Sequence, residues 1–108
     1  MQCFKEKVDS FRSSARFYLS NQKAYEAMIS DQKAGQNDQQ LKILHDDLLY
    51  VEDIFNRIHD ECGSGARLIV YLLFVENRTQ ESVARDFNIT RRQLQYSLNK
   101  WLYTVFGE

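Results

Sequence analysis

Hydrogen-bond donors near the C-terminal end of the chain recur at a spacing that suits one face of a helix. Arg92, Tyr96 and Asn99 follow one another at steps of four and three residues. Such steps place side chains on one face, because an α-helix turns about 100° per residue. Arginine can bond both acceptors of a guanine edge, and asparagine can pair with an adenine edge. This face could therefore read base pairs in the major groove of DNA.

Polar residues beside that face suit contacts to phosphates, which position a protein on DNA without reading sequence. Arg91 and Lys100 flank the face, and Arg78, Gln80 and Arg85 belong to the preceding segment. The complete predicted DNA-contacting set is Arg78, Gln80, Arg85, Thr90, Arg91, Arg92, Gln95, Tyr96, Asn99 and Lys100.

Signatures of catalysis and metal binding are missing from the sequence. His59 and Cys62 are three residues apart, but no second pair completes a metal site. There is no glycine-rich phosphate loop and no nucleophile–base motif. Cys3 and Cys62 do not form a disulfide framework. We therefore predict a protein that is not an enzyme, binds no cofactor or metal, and works in the reducing cytoplasm.

Two helices and a tight turn are predicted to position the donor face. Thr79 can cap a short helix over residues 80–87. Asn88 then lies in the turn, where a residue that tolerates positive φ is needed. Thr90 and Gln93 fit a capping box that starts the last helix. This is the pattern of a helix-turn-helix, and we expect the last helix to run to about Phe106.

The same stretch supplies the residues that such a crossing of helices requires. Val83 and Ala84 provide an apolar and a small residue where the second helix crosses, and Ile89 fills the turn. Ser97 is polar where an apolar core residue is usual. The predicted buried face of the last helix is Leu94, Leu98, Trp101, Leu102 and Val105.

Upstream, two long amphipathic segments predict a helical hairpin. Apolar residues recur at steps of three and four over residues 4–29 and again over 39–62, with a polar break at 30–38. The first segment is net basic and the second is acidic, which favours antiparallel pairing. Similar stripes can also pair between two chains, so a homodimer is plausible and the hairpin could close within one chain or between two.

Residues 66–76 connect the two halves and are apolar on every side. By periodicity alone this segment could be a buried strand. We predict a helix because no partner strand is evident, with Ser64 as its N-cap and Asn77 at its end. A helix that is apolar all round lies in a core or in a subunit interface.

Composition supports an all-α protein. The chain has no proline, 44% of its residues are hydrophobic, and its longest apolar run is far shorter than the roughly 20 residues of a membrane span. Residues 1–62 hold 8 Lys and Arg against 11 Asp and Glu, and residues 63–108 hold 6 against 4. We predict an antiparallel helical hairpin over 1–62, involved in dimerisation, followed by a three-helix helix-turn-helix unit over 63–108.

About residues 66–102 resemble the C-terminal region-4 module of bacterial sigma factors. They are also similar to small phage and mobile-element regulators that carry this kind of helix-turn-helix. The matching stretches are RLIVYLLFVEN, from Arg67, and TQESVARDFNITRRQLQ, from Thr79. The resemblance implies binding of a promoter or operator through the helix that starts at Thr90, and contact with RNA polymerase.

The expected function is therefore that of a sequence-specific, dimeric transcription regulator that binds double-stranded DNA and no membrane. One alternative is a phage or mobile-element protein-interaction module that binds RNA polymerase, a repressor or a host defence protein. The acidic second segment and the overall net charge of −1 favour that alternative. The simplest alternative is a helical scaffold without a ligand.

Overall fold

The computed structural model describes residues 3–31 and 38–107, and this part of the chain is helical without any strand. The all-α prediction is therefore confirmed. The helices are α1 (Phe4–Arg16), α2 (Tyr18–Asp31), α3 (Asp38–Cys62), α4 (Ser64–Phe74), α5 (Gln80–Asp86) and α6 (Arg91–Phe106). Most of the polar break predicted at 30–38 lies outside the described residues.

The single helix predicted over residues 4–29 is wrong, because the chain leaves helical geometry at Phe17. Phe17 has φ −100° and ψ 7°, and its N–H bonds the carbonyl of Ser14 instead of continuing the α-helical ladder. Its side chain is 54% exposed. The bend lets α1 pack on the core while α2 follows α3, so tertiary packing overrides a continuous apolar stripe.

Side-chain contacts between α2 and α3 run in antiparallel order. The Tyr18 hydroxyl donates to a Glu52 carboxylate oxygen at 2.7 Å, and Asn21 Nδ2 donates to Asp47 Oδ2 at 3.1 Å. Further along α2, the Tyr25 ring stacks on the ring of His45, with centroids 5.4 Å apart. Residue numbers therefore fall along α3 as they rise along α2.

One hydrophobic core joins the N-terminal and C-terminal halves. The Phe11 side chain is fully buried, and its ring lies 5.4 Å from Phe55, 5.6 Å from Phe74 and 5.7 Å from Phe106, measured between centroids. These partners belong to α3, α4 and α6. Deleting a buried phenylalanine side chain typically costs about 3–5 kcal/mol. The predicted division at residue 62 therefore coincides with a break between helices but not with a break in the core.

The segment between the two halves is the predicted helix with different ends. Gly63, at φ 101°, is the N-cap residue, and the predicted cap Ser64 is already the first helical residue. Only glycine adopts that backbone angle readily, which explains why the N-cap is Gly63 and not Ser64. The helix ends at Phe74 and not at Asn77, which has φ 56° in the following turn.

One side of α4 faces the core. Its buried residues are Ala66, Ile69, Val70, Leu73 and Phe74, whereas Leu68 is 48% exposed.

None of the helices in the described ranges is long and apolar enough to cross a membrane.

Candidate nucleic-acid interface

The turn between α5 and α6 has a well-defined hydrogen-bond geometry. Asn88 adopts φ 57°, as predicted, and donates its N–H to the Arg85 carbonyl at 3.2 Å. The Ile89 N–H reaches back to the Ala84 carbonyl at 3.0 Å. These two bonds form a Schellman motif, with Asn88 in the left-handed position that usually belongs to glycine. The chain thus leaves α5 sharply and enters α6 within four residues.

Both helices of this unit start as the sequence predicts. The Thr79 hydroxyl oxygen accepts the Ser82 N–H at 3.1 Å. At the start of α6, the Thr90 hydroxyl oxygen accepts the Gln93 N–H at 3.0 Å, and Gln93 Oε1 accepts the Thr90 N–H at 2.9 Å. The predicted capping box is therefore confirmed. It also uses the backbone N–H of Thr90, so the main role of Thr90 is to start the helix.

Apolar side chains hold α5 and α6 against each other and against the core. Val83 and Leu94 are fully buried, Ala84 is 3% exposed, and Ile89 packs against the same core from the turn. Burying each large aliphatic side chain stabilises the fold by roughly 1.5–3 kcal/mol. The orientation of α6 is thus set by packing along its inner side.

The outer side of α6 carries the predicted donor face. Arg92, Tyr96 and Asn99 are exposed, Tyr96 by 72%. On the opposite side, Leu98 and Leu102 are each 3% exposed. Ser97 is half-buried between the two sides, so its hydroxyl interrupts neither the core nor the donor face.

The predicted contact residues differ in their accessibility to solvent. Arg78 and Gln80 are half-buried. The exposed members are Arg85, Thr90, Arg91, Arg92, Gln95, Tyr96, Asn99 and Lys100. Among these exposed residues, Arg85 lies on α5, Thr90 caps α6, and the others lie along α6.

Acidic residues of α5 engage two of the arginines. Arg78 Nη2 lies 2.5 Å from Asp86 Oδ2, and the same guanidinium donates to the hydroxyl of Ser82. Its side chain is only 30% exposed. Arg78 is therefore committed to an internal ion pair, which weakens its candidacy as a phosphate contact.

Arg91 is held much more loosely. Its Nη1 lies 3.9 Å from Glu81 Oε1, and its Nε donates to Gln80 Oε1 at 3.4 Å. The side chains of Arg91 and Glu81 are 63% and 72% exposed. Because such surface pairs contribute about 0–1 kcal/mol, Arg91 can turn to an incoming phosphate at little cost.

The remaining cations of the surface have no acidic partner within the described residues. Arg85, Arg92 and Lys100 are exposed, and their side chains make no ion pair there. A shallow cavity of about 510 Å³ adjoins Arg92 at the N-terminal end of α6; Tyr96 and Ser97 contribute to its lining. This end of α6 is therefore open to a ligand and carries uncompensated positive charge.

Two arginines that the sequence did not single out border the same surface. Arg12 and Arg16 project from α1 into a cleft that Arg78 and Gln80 also line. Their spacing of four residues was visible as a basic face of the first helix. What could not be seen was that α1 packs against α4 and α6, so that its arginines share a cleft with the start of α5.

Within the described ranges, no group of three or more His, Cys, Asp or Glu residues is arranged so that it could hold a metal ion. Cys62 is half-buried, and burial raises the pKa of its thiol. A raised pKa leaves less of the reactive thiolate form at neutral pH.

Comparison of the chain with protein-family models, with curated proteins and with solved structures gives no match.

Proposed function

We propose that this chain is a sequence-specific DNA-binding transcription regulator that acts as a homodimer and reads the major groove with α6. The observation that carries the proposal is the exposed donor face of Arg92, Tyr96 and Asn99 on a helix whose other side is buried. A recognition helix needs both properties, because it must be fixed by the core and accessible at its N-terminal end.

The residue chemistry suggests a role for each part of this surface. Arg92 can pair bidentately with guanine, and Asn99 with adenine, two turns further along α6. Arg85, Arg91 and Lys100 lie beside them and can neutralise phosphates of the two strands. The turn at Asn88 keeps α5 close to the DNA backbone while α6 enters the groove.

A second copy of the chain would supply a second recognition helix for the other half-site. Large apolar side chains are exposed on α3 and α4, including Ile43 at 62%, Leu49 at 42% and Leu68 at 48%. Covering them with a second copy would remove apolar surface from water. Two recognition helices would then contact half-sites about 34 Å apart, one turn of DNA.

The proposal can be tested by enriching bound sequences from a random duplex library and measuring affinity for the enriched site at several salt concentrations. Losing the Arg92 pair with a base should cost about 1–3 kcal/mol. Arg92→Ala should therefore weaken binding to the enriched site roughly 5- to 150-fold. Its affinity for unenriched DNA should fall much less.

Lys42→Ala is the matched control. It removes the same charge from an exposed position on α3, where Lys42 pairs with Asp46 at 3.0 Å. This variant should bind the enriched site as the wild type does. Absence of any wild-type binding at low salt would overturn the proposal. A monomeric mass for the protein–DNA complex would overturn its dimeric part.

A protein-interaction module is a second candidate, favoured by the acids on α3. Asp46, Glu52, Asp53, Asp60 and Glu61 are all exposed. A basic groove on RNA polymerase, a repressor or a host defence protein could bind this surface. The candidate gains if replacing Asp53 and Asp60 by asparagine releases a co-purifying protein while Arg92→Ala retains it.

A further inference from the structure

The cleft between α1 and the α5–α6 unit is the strongest unassigned feature of the described surface. It encloses about 240 Å³, and its polar lining consists of Arg12, Arg16, Asn77, Arg78 and Gln80. No acidic residue lines it. Guanidinium groups form charge-assisted hydrogen bonds with phosphates and carboxylates, so a cleft lined by three of them suits an anion of this chemistry.

Arg12 and Arg16, on α1, are placed so that their guanidinium groups can bind such an anion. The Arg12 guanidinium carbon lies 4.8 Å above the ring centroid of Phe74, which is itself 5% exposed. A cation–π contact of this kind holds the guanidinium over the ring and still allows its N–H groups to donate to an anion. Arg16 is exposed, and neither arginine has an ion pair among the described residues.

The position of the cleft indicates which anion it meets. Gln80 lines the cleft and also accepts a hydrogen bond from Arg91 at the start of α6. The cleft is thus continuous with the surface proposed to contact DNA. Arg12 and Arg16 are one helical turn apart, so their Cβ atoms are separated by about 5–6 Å. At the ends of long side chains, both guanidiniums can reach neighbouring phosphates of one strand.

We propose that Arg12 and Arg16 form a phosphate clamp for the DNA strand that runs past the start of α5. This inference rests on the proposed function, because it assigns the N-terminal helix a place on the same DNA. Arg78, held by Asp86, lines the clamp without being its main donor. DNA binding then depends on α1 as well as on α6.

The test compares the wild type with an Arg12→Gln, Arg16→Gln double variant on a fluorescent duplex of random sequence. Each lost phosphate contact lowers the slope of log affinity against log salt by about 0.9. The double variant should therefore lose about 2 from the slope. Between roughly 50 and 200 mM salt, wild-type affinity should fall about tenfold more than that of the variant.

Lys23→Gln, Lys42→Gln is the matched control, because it removes two charges from exposed positions on α2 and α3. It should leave the slope unchanged. The Arg12→Lys single variant keeps the charge, and it should retain most of the slope. Thermal unfolding followed by circular dichroism shows whether each variant is folded at the assay temperature.

The outcomes separate the two proposals. If the wild type binds DNA and the double variant has the same slope, the clamp is wrong and the proposed function stands. If the wild type does not bind at low salt, the proposed function itself fails, and the clamp fails with it. If the double variant loses affinity for polyglutamate while its DNA binding is unchanged, the cleft takes an acidic peptide, which also overturns the clamp.

Discussion

Replacing Asn88 should reveal how much the fold depends on the turn between α5 and α6. The Asn88 side chain is exposed and makes no hydrogen bond in the described structure, whereas its backbone has φ 57°. The left-handed region costs a side chain with a Cβ roughly 1–2 kcal/mol, and the cost is smaller for asparagine than for most residues. Asn88→Ala should therefore destabilise the protein by about 1 kcal/mol.

Asn88→Gly should be nearly neutral. Glycine removes the Cβ conflict, but it also gives the unfolded chain more conformational freedom, which offsets about 0.4–1 kcal/mol of the gain. The glycine variant should thus be about 1 kcal/mol more stable than the alanine variant. For a domain of this size, that difference moves the Tm by about 4 °C or more.

Asn99 provides a control position, where the alanine variant should be more stable than the glycine variant. It is also exposed but lies inside α6, where alanine is about 1 kcal/mol better than glycine. Urea unfolding followed by far-UV circular dichroism can measure all four variants. If the Asn88→Ala variant is as stable as the Asn88→Gly variant, residue 88 does not adopt the left-handed conformation, and α5 and α6 do not cross in this way.

Three further changes test other parts of the fold. Burial and the hydrogen bond to Glu52 raise the pKa of Tyr18 from 10 to about 12, so its stabilising effect should be complete below pH 10 and be lost as the pH rises through 12. Tyr18→Phe should make that decline in unfolding free energy shallower, and an equally steep decline would contradict this. Thr90→Ala should lose about 1 kcal/mol with the capping box, while Thr90→Ser keeps most of it. Leu94→Ala should lose roughly 2–5 kcal/mol in urea unfolding, against less than about 1.5 for Leu94→Met; equal losses would argue that the site is not fully packed.

Local signals predicted the C-terminal unit well. The caps at Thr79 and Thr90 and the turn at Asn88 depend on bonds within a few residues, so their residue types are sufficient to place them. The long stripe over residues 39–62 similarly predicted α3 to within one residue, because no other helical face competes with it. The exposure of Arg92 followed from the buried face opposite to it.

Features that depend on distant packing were not predictable in this way. The apolar stripe continues through Phe17, and nothing local marks the bend after which α2 follows α3 while α1 packs on α4 and α6 as well. Arg12 joined the candidate surface only because Phe74 lies beneath it, and no spacing in the sequence brings those two residues together.

The aromatic contacts of Phe11 impose an order on the folding of a newly made chain. Phe11 leaves the ribosome well before its partner Phe106, which belongs to the end of α6, and Phe4 likewise meets Tyr103. Contacts so distant in sequence cannot form until α6 has been synthesised, and closing such a loop is slow. Until then the apolar side of α1 has only part of its final covering. The exposed side of α6 and the core that holds this helix are thus completed in the same step.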